Sequence, residues 1–379
     1  RLYSTKNRTY IANTPENSLL LEQLSEKGKK YRNSLHQRVI QPRAEFYEIY
    51  GRRQILDIIT NLEVHGEIPR QYNYLSGGAT NWDNWLQRLA TEQAANILKG
   101  TVELMRANMS AIDRLTAANK RVNVIDLGAG NAYPVRELLG HLIERGVLHR
   151  YIAIDISPSM LAIAERNVKQ WYGEDIRFEG HVRDFSYERF DDLLVNDMLD
   201  EAADETINLV LLLGATPVNF RAFGDVFRTV YGSMSGNDLL VYTDKPDTEM
   251  SRRYFDFSAT PGAQQLSPSH QYILDLLGID QSLYEPEMGF DAVQRMRYIR
   301  VRMKTALSIQ FDFGDLKRTV ELEKGDTILL LRVWHMTALE IISEFASVGF
   351  TLLQSSLTKD RQYYLSISGV EAKDKPQLA

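Results

Sequence analysis

The sequence contains no cysteine. That absence excludes disulfides, thiolate metal sites and cysteine nucleophiles. It fits a reducing compartment, so a cytoplasmic setting is expected. Histidine is scarce, with 7 in 379 residues. No two stand at i, i+4 on one helix and no HExxH occurs, so no metal centre is expected; His181 with Asp184 is the one pairing of note. There is no Walker loop and no G-x-S-x-G elbow. No stretch reaches the length of uninterrupted apolar residues that a transmembrane helix needs, so no membrane span is expected. The first residues, Arg-Leu-Tyr-Ser-Thr-Lys-Asn, carry no apolar signal core. Nor is there a surplus of positive charge: 44 Lys and Arg against 50 Asp and Glu give a net charge of −6. Phosphate contacts need a basic surface, so no nucleic-acid partner is expected.

What is present is an ordinary globular composition, 44% apolar and 25% charged. The length exceeds that of one average domain and allows a large core without staples. There is no internal repeat and no low-complexity segment.

Residues 1–120 read as mostly helical. Leu19 to Leu24 forms a short helical stretch, and Ala44 to Leu62 carries Phe46, Tyr47, Ile49, Ile55 and Ile58 near a 3.6 period. Gly66 and Pro69 end it. A loop rich in glycine and aromatics follows from Ile68 to Trp85, then one long helix from Leu86 to Asn119. From Val122 short apolar runs alternate with amphipathic segments: strands at Val122–Leu127, Tyr151–Asp155, Ile176–Gly180, Ile207–Leu213 and Asp238–Thr243, with helices at Pro134–Arg145, Pro158–Trp171 and Phe220–Tyr231. Such alternation predicts a parallel α/β sheet. Residues 246–334 break it. Met250–Phe257 and Ser269–Gly278 look helical, whereas Gln294–Phe313, Arg318–Glu323 and Thr327–Trp334 look like strands. Helix Ala338–Val348 and strands Phe350–Gln354 and Tyr363–Ser368 would complete the main sheet.

The first strand runs into Asp126-Leu-Gly-Ala-Gly-Asn-Ala-Tyr-Pro134. Gly128 and Gly130 allow close backbone approach to a ligand. A dinucleotide fingerprint needs a third small residue where Tyr133 stands, so NAD and FAD are not expected. Asp126, before the glycines, suits a cationic ligand end. Asp155 ends the second strand in Ile154-Asp-Ile156-Ser157, placed to accept from two vicinal ribose hydroxyls. Asp184-Phe185 follows the third strand, where an amine donor could be read. Gly214 opens the segment Gly214-Ala-Thr-Pro-Val-Asn-Phe220 after the fourth.

This set resembles the class I S-adenosylmethionine-dependent methyltransferases. The resemblance implies an α/β, Rossmann-like class I methyltransferase sheet with a helical N-terminal region and an α+β insertion after the fifth strand. It implies S-adenosyl-L-methionine as cofactor, held by Tyr72, Asp126, Gly128, Gly130, Asp155, Ile156, Asp184, Phe185 and Gly214. Within that class the chain is similar to the histidine-specific methyltransferase family. Glu67-Ile-Pro69 with Tyr72, Leu213 to Phe220, Thr243-Asp244 and the placement of the insertion carry the similarity. By this resemblance Asn219 falls where the family binds the substrate's amino and carboxylate groups; a helix N-cap for Phe220 onward is the other reading. Asn219 and Asp244 are the candidate catalytic residues, and Asp184, Asp244 or Tyr72 could take a proton.

The family reads imidazole with a Glu and a Ser two residues apart on a late strand of the insertion. Here that strand offers Leu331 and Val333, or Arg332 and Trp334 in the other register, so free histidine is not the expected substrate. The expectation is N-methylation of another small amino-bearing molecule. The alternatives are an O- or C-methyltransferase of a secondary metabolite, or a non-catalytic donor-binding subunit. Two readings stand for the loop Tyr72–Trp85, with Gly77-Gly78 and its aromatics: a lid that closes over donor and substrate, or a packed loop with Trp82 and Trp85 in the core. The expected organisation is 1–120 helical N-terminal or lid region, 121–245 donor-binding core, 246–334 substrate insertion, 335–370 completion of the sheet and 371–379 tail. Nothing in the sequence sets the oligomeric state.

Overall fold

The computed structural model describes residues 2–5, 8–11, 38–194, 205–214, 216–249 and 265–370. The helices expected at 19–24 and 250–257, and the tail at 371–379, lie outside them.

A small antiparallel hairpin comes first, β1 (Leu2–Thr5) and β2 (Arg8–Ile11). Strand β3 (Arg38–Ile40) and helices α1 (Ala44–Ile49) and α2 (Arg52–His65) follow. A 3-10 turn at Arg70–Tyr74 leads into α3 (Gly77–Thr91). The expected glycine-aromatic loop is thus a turn and a helix start. Gly78 permits this, because a side chain there would sit 1.9 Å from the Asn73 carbonyl oxygen.

The long helix expected from Leu86 is broken into the end of α3, α4 (Ile97–Ala107) and α5 (Met109–Leu115). Asn96 explains the first break. Its side chain accepts from Lys99 N at 3.0 Å, capping α4, and donates to Leu89 O at 2.8 Å. Asn108 sits at the second break, its amide donating to Leu104 O and to Ser356.

The alternating region contains β4 (Arg121–Leu127), α6 (Arg136–Glu144), β5 (Leu148–Asp155), α7 (Pro158–Tyr172), β6 (Phe178–Val182), β7 (Thr206–Leu212), α8 (Phe223–Ser233) and β8 (Leu239–Asp244). Ser157 caps α7 as expected, accepting from Met160 N. The insertion holds α9 (Pro268–Leu276), β9 (Tyr284–Asp291), β10 (Met296–Met303), β11 (Leu307–Phe313), β12 (Leu316–Leu322) and β13 (Thr327–Trp334). The single strand expected over 294–313 is two strands in different sheets: β10 pairs with β9 and β13, whereas β11 pairs with β12 and, in parallel, with β3. The chain closes with α10 (Ala338–Val348), β14 (Phe350–Leu357) and β15 (Tyr364–Val370).

Seven strands form the main sheet in the order β14-β15-β8-β7-β4-β5-β6, with β15 antiparallel to both neighbours. Alternate residues of each central strand feed two cores, as expected of a sheet covered on both faces. Val124, Leu209 and Val241 meet Leu104, Ile112 and Leu138 on one side. Ile125, Val210 and Leu240 meet Phe227, Val230 and Phe345 on the other. A third core joins the N-terminal helices to the insertion, packing Phe46, Ile58 and Leu62 on Ile273, Phe311 and Ile328. The N-terminal region and the insertion therefore stand together over the carboxyl ends of the main strands, where ligands bind in open α/β sheets.

Candidate active site

At the end of β4 the chain turns through Gly128 and Gly130, with φ of +70° and +55°. Gly128 N donates to Ile154 O at 2.8 Å. These angles favour glycine. A side chain at Gly128 would also meet the Phe185 ring at 3.5 Å, and one at Gly130 the Trp82 indole nitrogen at 3.4 Å. Asp155 closes β5 beneath this loop. Its Oδ2 accepts from Gly130 N at 3.1 Å and its Oδ1 from Ser157 N at 2.9 Å. Burial pushes its carboxyl up to about 6, against the pull of those backbone donors.

Asp184 follows β6. Its Oδ1 accepts from the Ser186 amide at 3.1 Å and from the Ser186 hydroxyl, and its Oδ2 from Gln71 Nε2 at 3.4 Å. Burial raises this carboxyl too. After β7, Gly214 turns at φ +79° and its N–H donates to Thr243 Oγ1 at 2.9 Å. A 3-10 turn at Thr216–Asn219 follows, and α8 begins only at Phe223 with Ala222 as its N-cap. Asn219 is therefore not the cap of that helix, and it lines the cavity.

The cavity at the strand ends gathers Gly128, Gly130, Asp155, Ile156, Asp184, Phe185, Gly214 and Asn219. Sequence reasoning named all of these. Its facing wall comes from the N-terminal region. Arg70, Gln71 and Tyr74 enter from the turn, Trp82, Trp85 and Leu86 from α3, and Ile97, Leu98 and Thr101 from α4. Tyr74 and Trp82 lie 5.2 Å apart and Trp82 and Trp85 4.6 Å apart, centroid to centroid. The two tryptophans thus line the cavity and also pack on each other and on Leu86 and Leu98. Asp83 fixes this wall to the glycine loop, accepting from Asn131 Nδ2 at 2.9 Å and from Gln87 Nε2 at 2.9 Å. The turn and α4 residues were missed, since only tertiary contacts bring them here.

Three candidates do not line the cavity. Tyr72 is buried, and its hydroxyl donates to Asp57 Oδ2 at 2.8 Å; it belongs to the core shared with Tyr50, and burial raises its pKa. Asp126 shares its strand face with Val124. It accepts from the Tyr151 hydroxyl at 2.9 Å, and burial pushes it up to about 7. Asp244 shares its face with Tyr242, whose hydroxyl donates to it at 2.7 Å; burial pushes it up to about 6. Strand alternation turns both carboxylates into the cores rather than toward the cavity. Of the three groups considered for taking a proton, Asp184 alone lines the cavity.

None of the four residues weighed on β13 lines the cavity. Arg332 is ion-paired to Glu67, which also binds Arg221 at 2.9 Å, and Trp334 Nε1 donates to Phe220 O at 2.8 Å. Among the described residues, no group of three or more His, Asp or Glu is placed to hold a metal, and no helix is long and apolar enough to cross a membrane.

The structure is similar to magnesium protoporphyrin IX methyltransferase from Synechocystis PCC 6803 with bound SAH, at 11% identity and TM-score 0.40, covering 83% of this chain and 97% of that one. It is also similar to the 1,6-didemethyltoxoflavin-N1-methyltransferase of Burkholderia thailandensis, at 13% identity and TM-score 0.38, covering 80% and 90%. No curated protein matches the sequence. The model of the family described as "Histidine-specific methyltransferase, SAM-dependent" matches residues 57–369. The chain thus belongs to the histidine-specific, S-adenosylmethionine-dependent methyltransferase family and is an enzyme of the class I methyltransferase fold.

Proposed function

We propose that the enzyme N-methylates a small amino-bearing molecule other than free histidine. The observation that carries this reading is the position of Asn219. Its amide lines the cavity opposite an apolar, aromatic wall and does no work as a helix cap. An uncharged amide both accepts from an amine and donates to a carboxylate, which suits an amino-acid-like end. Trp82, Trp85 and Leu86 suit an apolar body better than an imidazole. No carboxylate–hydroxyl pair from β13 lines the cavity to read such a ring.

The residues present fit the donor. Two glycines with positive φ let the backbone approach closely, and a side chain at either would meet Phe185 or Trp82. A carboxylate has about four acceptor sites, so Asp155 can take ribose hydroxyls beside its backbone donors. Ile156 and Phe185 offer apolar faces for the adenine, and Asp184 accepts from its amine. When bound, the sulfonium supplies an activated methyl group for in-line displacement. The chain's own task is to hold the attacking nitrogen in line and near contact. No covalent protein intermediate is required. The amine must arrive neutral, and the apolar wall favours the neutral form by desolvation. Asp83 and Asn131 keep that wall closed on the glycine loop and exclude water.

The test is methyl transfer followed by mass spectrometry across amino acids, amines and hydroxylated metabolites. Amine acceptors should react and free histidine should not. Asn219→Ala should leave donor affinity intact and lower turnover by about one to two orders of magnitude, a loss of about 1.5–3 kcal/mol of orientation. Efficient methylation of histidine, or reaction of hydroxyl or carbon acceptors only, would overturn the substrate reading.

A further inference from the structure

The cavity has two cationic side chains in its lining, Arg70 and Arg183. Arg183 is occupied. Both its terminal nitrogens bind Asp192, and one also donates to the Arg189 carbonyl. Arg70 is different. Its Nε donates to the Tyr74 hydroxyl at 3.2 Å and its guanidinium lies 5.0 Å from the Tyr74 ring centroid, which fixes the fork in place. Its Nη1 is buried and has no partner among the described residues. Two further polar groups of the same neighbourhood share this condition. Asn73, in the same turn and only 1% exposed, has neither amide atom paired among the described residues. His270, on the α9 helix that packs against the turn, is 7% exposed; its Nδ1 pairs with Ser267 Oγ at 2.7 Å and its Nε2 has no partner.

We propose that Arg70 is a carboxylate anchor of the active site, its Nη1 donating to a carboxylate carried by one of the two molecules present during methyl transfer. The proposal rests on the methyltransferase reading above and names the anionic group that its ligands must present. A buried guanidinium nitrogen without an acceptor is costly, and a carboxylate is the acceptor whose shape it matches. The groups that face His270 are burial's apolar surroundings and the cations Arg70 and Arg297, which together push the imidazole down to about 3. His270 is therefore neutral and adds no competing charge. The carboxylates of the cavity do not supply the missing partner: Asp155 is engaged by Gly130 and Ser157, and Asp184 by Ser186 and Gln71.

Two molecules could carry the group, the amino-acid end of the methyl donor or the acceptor. Calorimetry separates them. S-adenosylhomocysteine and 5′-methylthioadenosine are titrated into the wild type, Arg70→Ala and Arg70→Gln; the two nucleosides differ by the amino-acid end. The glutamine variant keeps part of the stem and a donor, and guards against a failure of the alanine variant to fold. If the donor carries the carboxylate, both variants bind S-adenosylhomocysteine at least tenfold more weakly and 5′-methylthioadenosine unchanged. If the acceptor carries it, both nucleosides bind as in the wild type. KM then rises at least tenfold for a carboxylate-bearing acceptor but not for its amide. Equal weakening of both nucleosides, or no change in any of these quantities, overturns the proposal. The nucleoside arms do not depend on the acceptor's identity, so a failure of the N-methylation reading leaves them legible.

Discussion

The Trp334 indole N–H donates to the Phe220 carbonyl at 2.8 Å, tying the last strand of the insertion to the residue next to Asn219. A second tie lies beside it. Glu67, 8% exposed, binds Arg332 of the same strand and Arg221 of the same loop. The cavity loop after β7 is thus held from outside by the N-terminal region and the insertion together, through groups that do not themselves line the cavity.

Glu67→Ala should therefore act at a distance. It leaves Arg332, largely buried, without its carboxylate. Breaking such a pair costs about 3–5 kcal/mol, with the more exposed Arg221 adding little. Urea unfolding should show the loss. The freed loop should lower kcat while S-adenosylhomocysteine affinity changes little. An unchanged unfolding midpoint, or donor affinity falling as far as kcat, would show that Glu67 does not position this loop.

The strand ends were readable because the chemistry there is local. Gly128 and Asp155 follow apolar runs directly, Asp184 stands two residues past β6, and the turn each makes depends on near neighbours. The β13 strand and α10 were legible end to end, the latter because Thr337 and Glu340 form a capping box. The breaks at Asn96 and Asn108 were not, since an asparagine inside an amphipathic pattern becomes a cap only when the neighbouring turn folds back on it. Tyr72 and Asp126 sit one or two residues from lining positions, and Asp244 follows Thr243, which bonds the lining Gly214; side-chain direction separates all three from the cavity. Arg70, Trp82 and Thr101 reach it only through tertiary contacts, among them Asp83 with Asn131 and Gln71 with Asp184.

Asp155→Ala should weaken S-adenosylhomocysteine binding by about 1.5–3 kcal/mol, the range for hydrogen bonds to a charged group. Burial pushes the carboxyl up to about 6 in the ligand-free protein, and its ionised form is the stronger acceptor for both hydroxyls. Wild-type affinity should fall as the pH drops through about 6, and the variant's affinity should not follow that curve. Calorimetry at pH 5 and pH 8 checks both. Parallel pH dependence in the two proteins would remove Asp155 from the donor site.

Asp126 makes a prediction about stability. Its folded pKa, about 7, lies above the ordinary aspartate value near 4. Between these values the folded chain holds a proton that the unfolded chain has released. The group's contribution is full below about pH 4 and is lost as the pH rises through about 7. Asp155 and Asp244, each near 6, act in the same sense, while His270, near 3, acts oppositely between pH 3 and 6.5. Asp126→Asn removes one contribution and leaves the others. Relative to the wild type, the variant should gain stability between pH 4.5 and pH 8, measured by urea midpoints. A difference that does not change with pH would mean that Asp126 is ionised throughout.

Trp82 tests whether the aromatic wall serves the acceptor. Its ring lies between Tyr74 and Trp85, and its indole nitrogen stands 3.4 Å from where a side chain on Gly130 would begin. A residue so placed can touch either bound molecule, and kinetics can tell which. Trp82→Ala removes a large half-buried surface that an apolar acceptor would cover, whereas Trp82→Phe keeps most of that surface and loses the N–H. If the wall holds the acceptor, the alanine variant should raise acceptor KM about tenfold, about 1.4 kcal/mol, with S-adenosylhomocysteine affinity within a factor of about two. The phenylalanine variant should recover most of the loss, because the interaction is burial of apolar area rather than a hydrogen bond. Thermal melting would confirm that α3 remains docked through Asp83 and Asn131. If instead donor affinity falls in both variants while acceptor KM stays fixed, the indole N–H serves the donor, and Trp82 does not hold the acceptor.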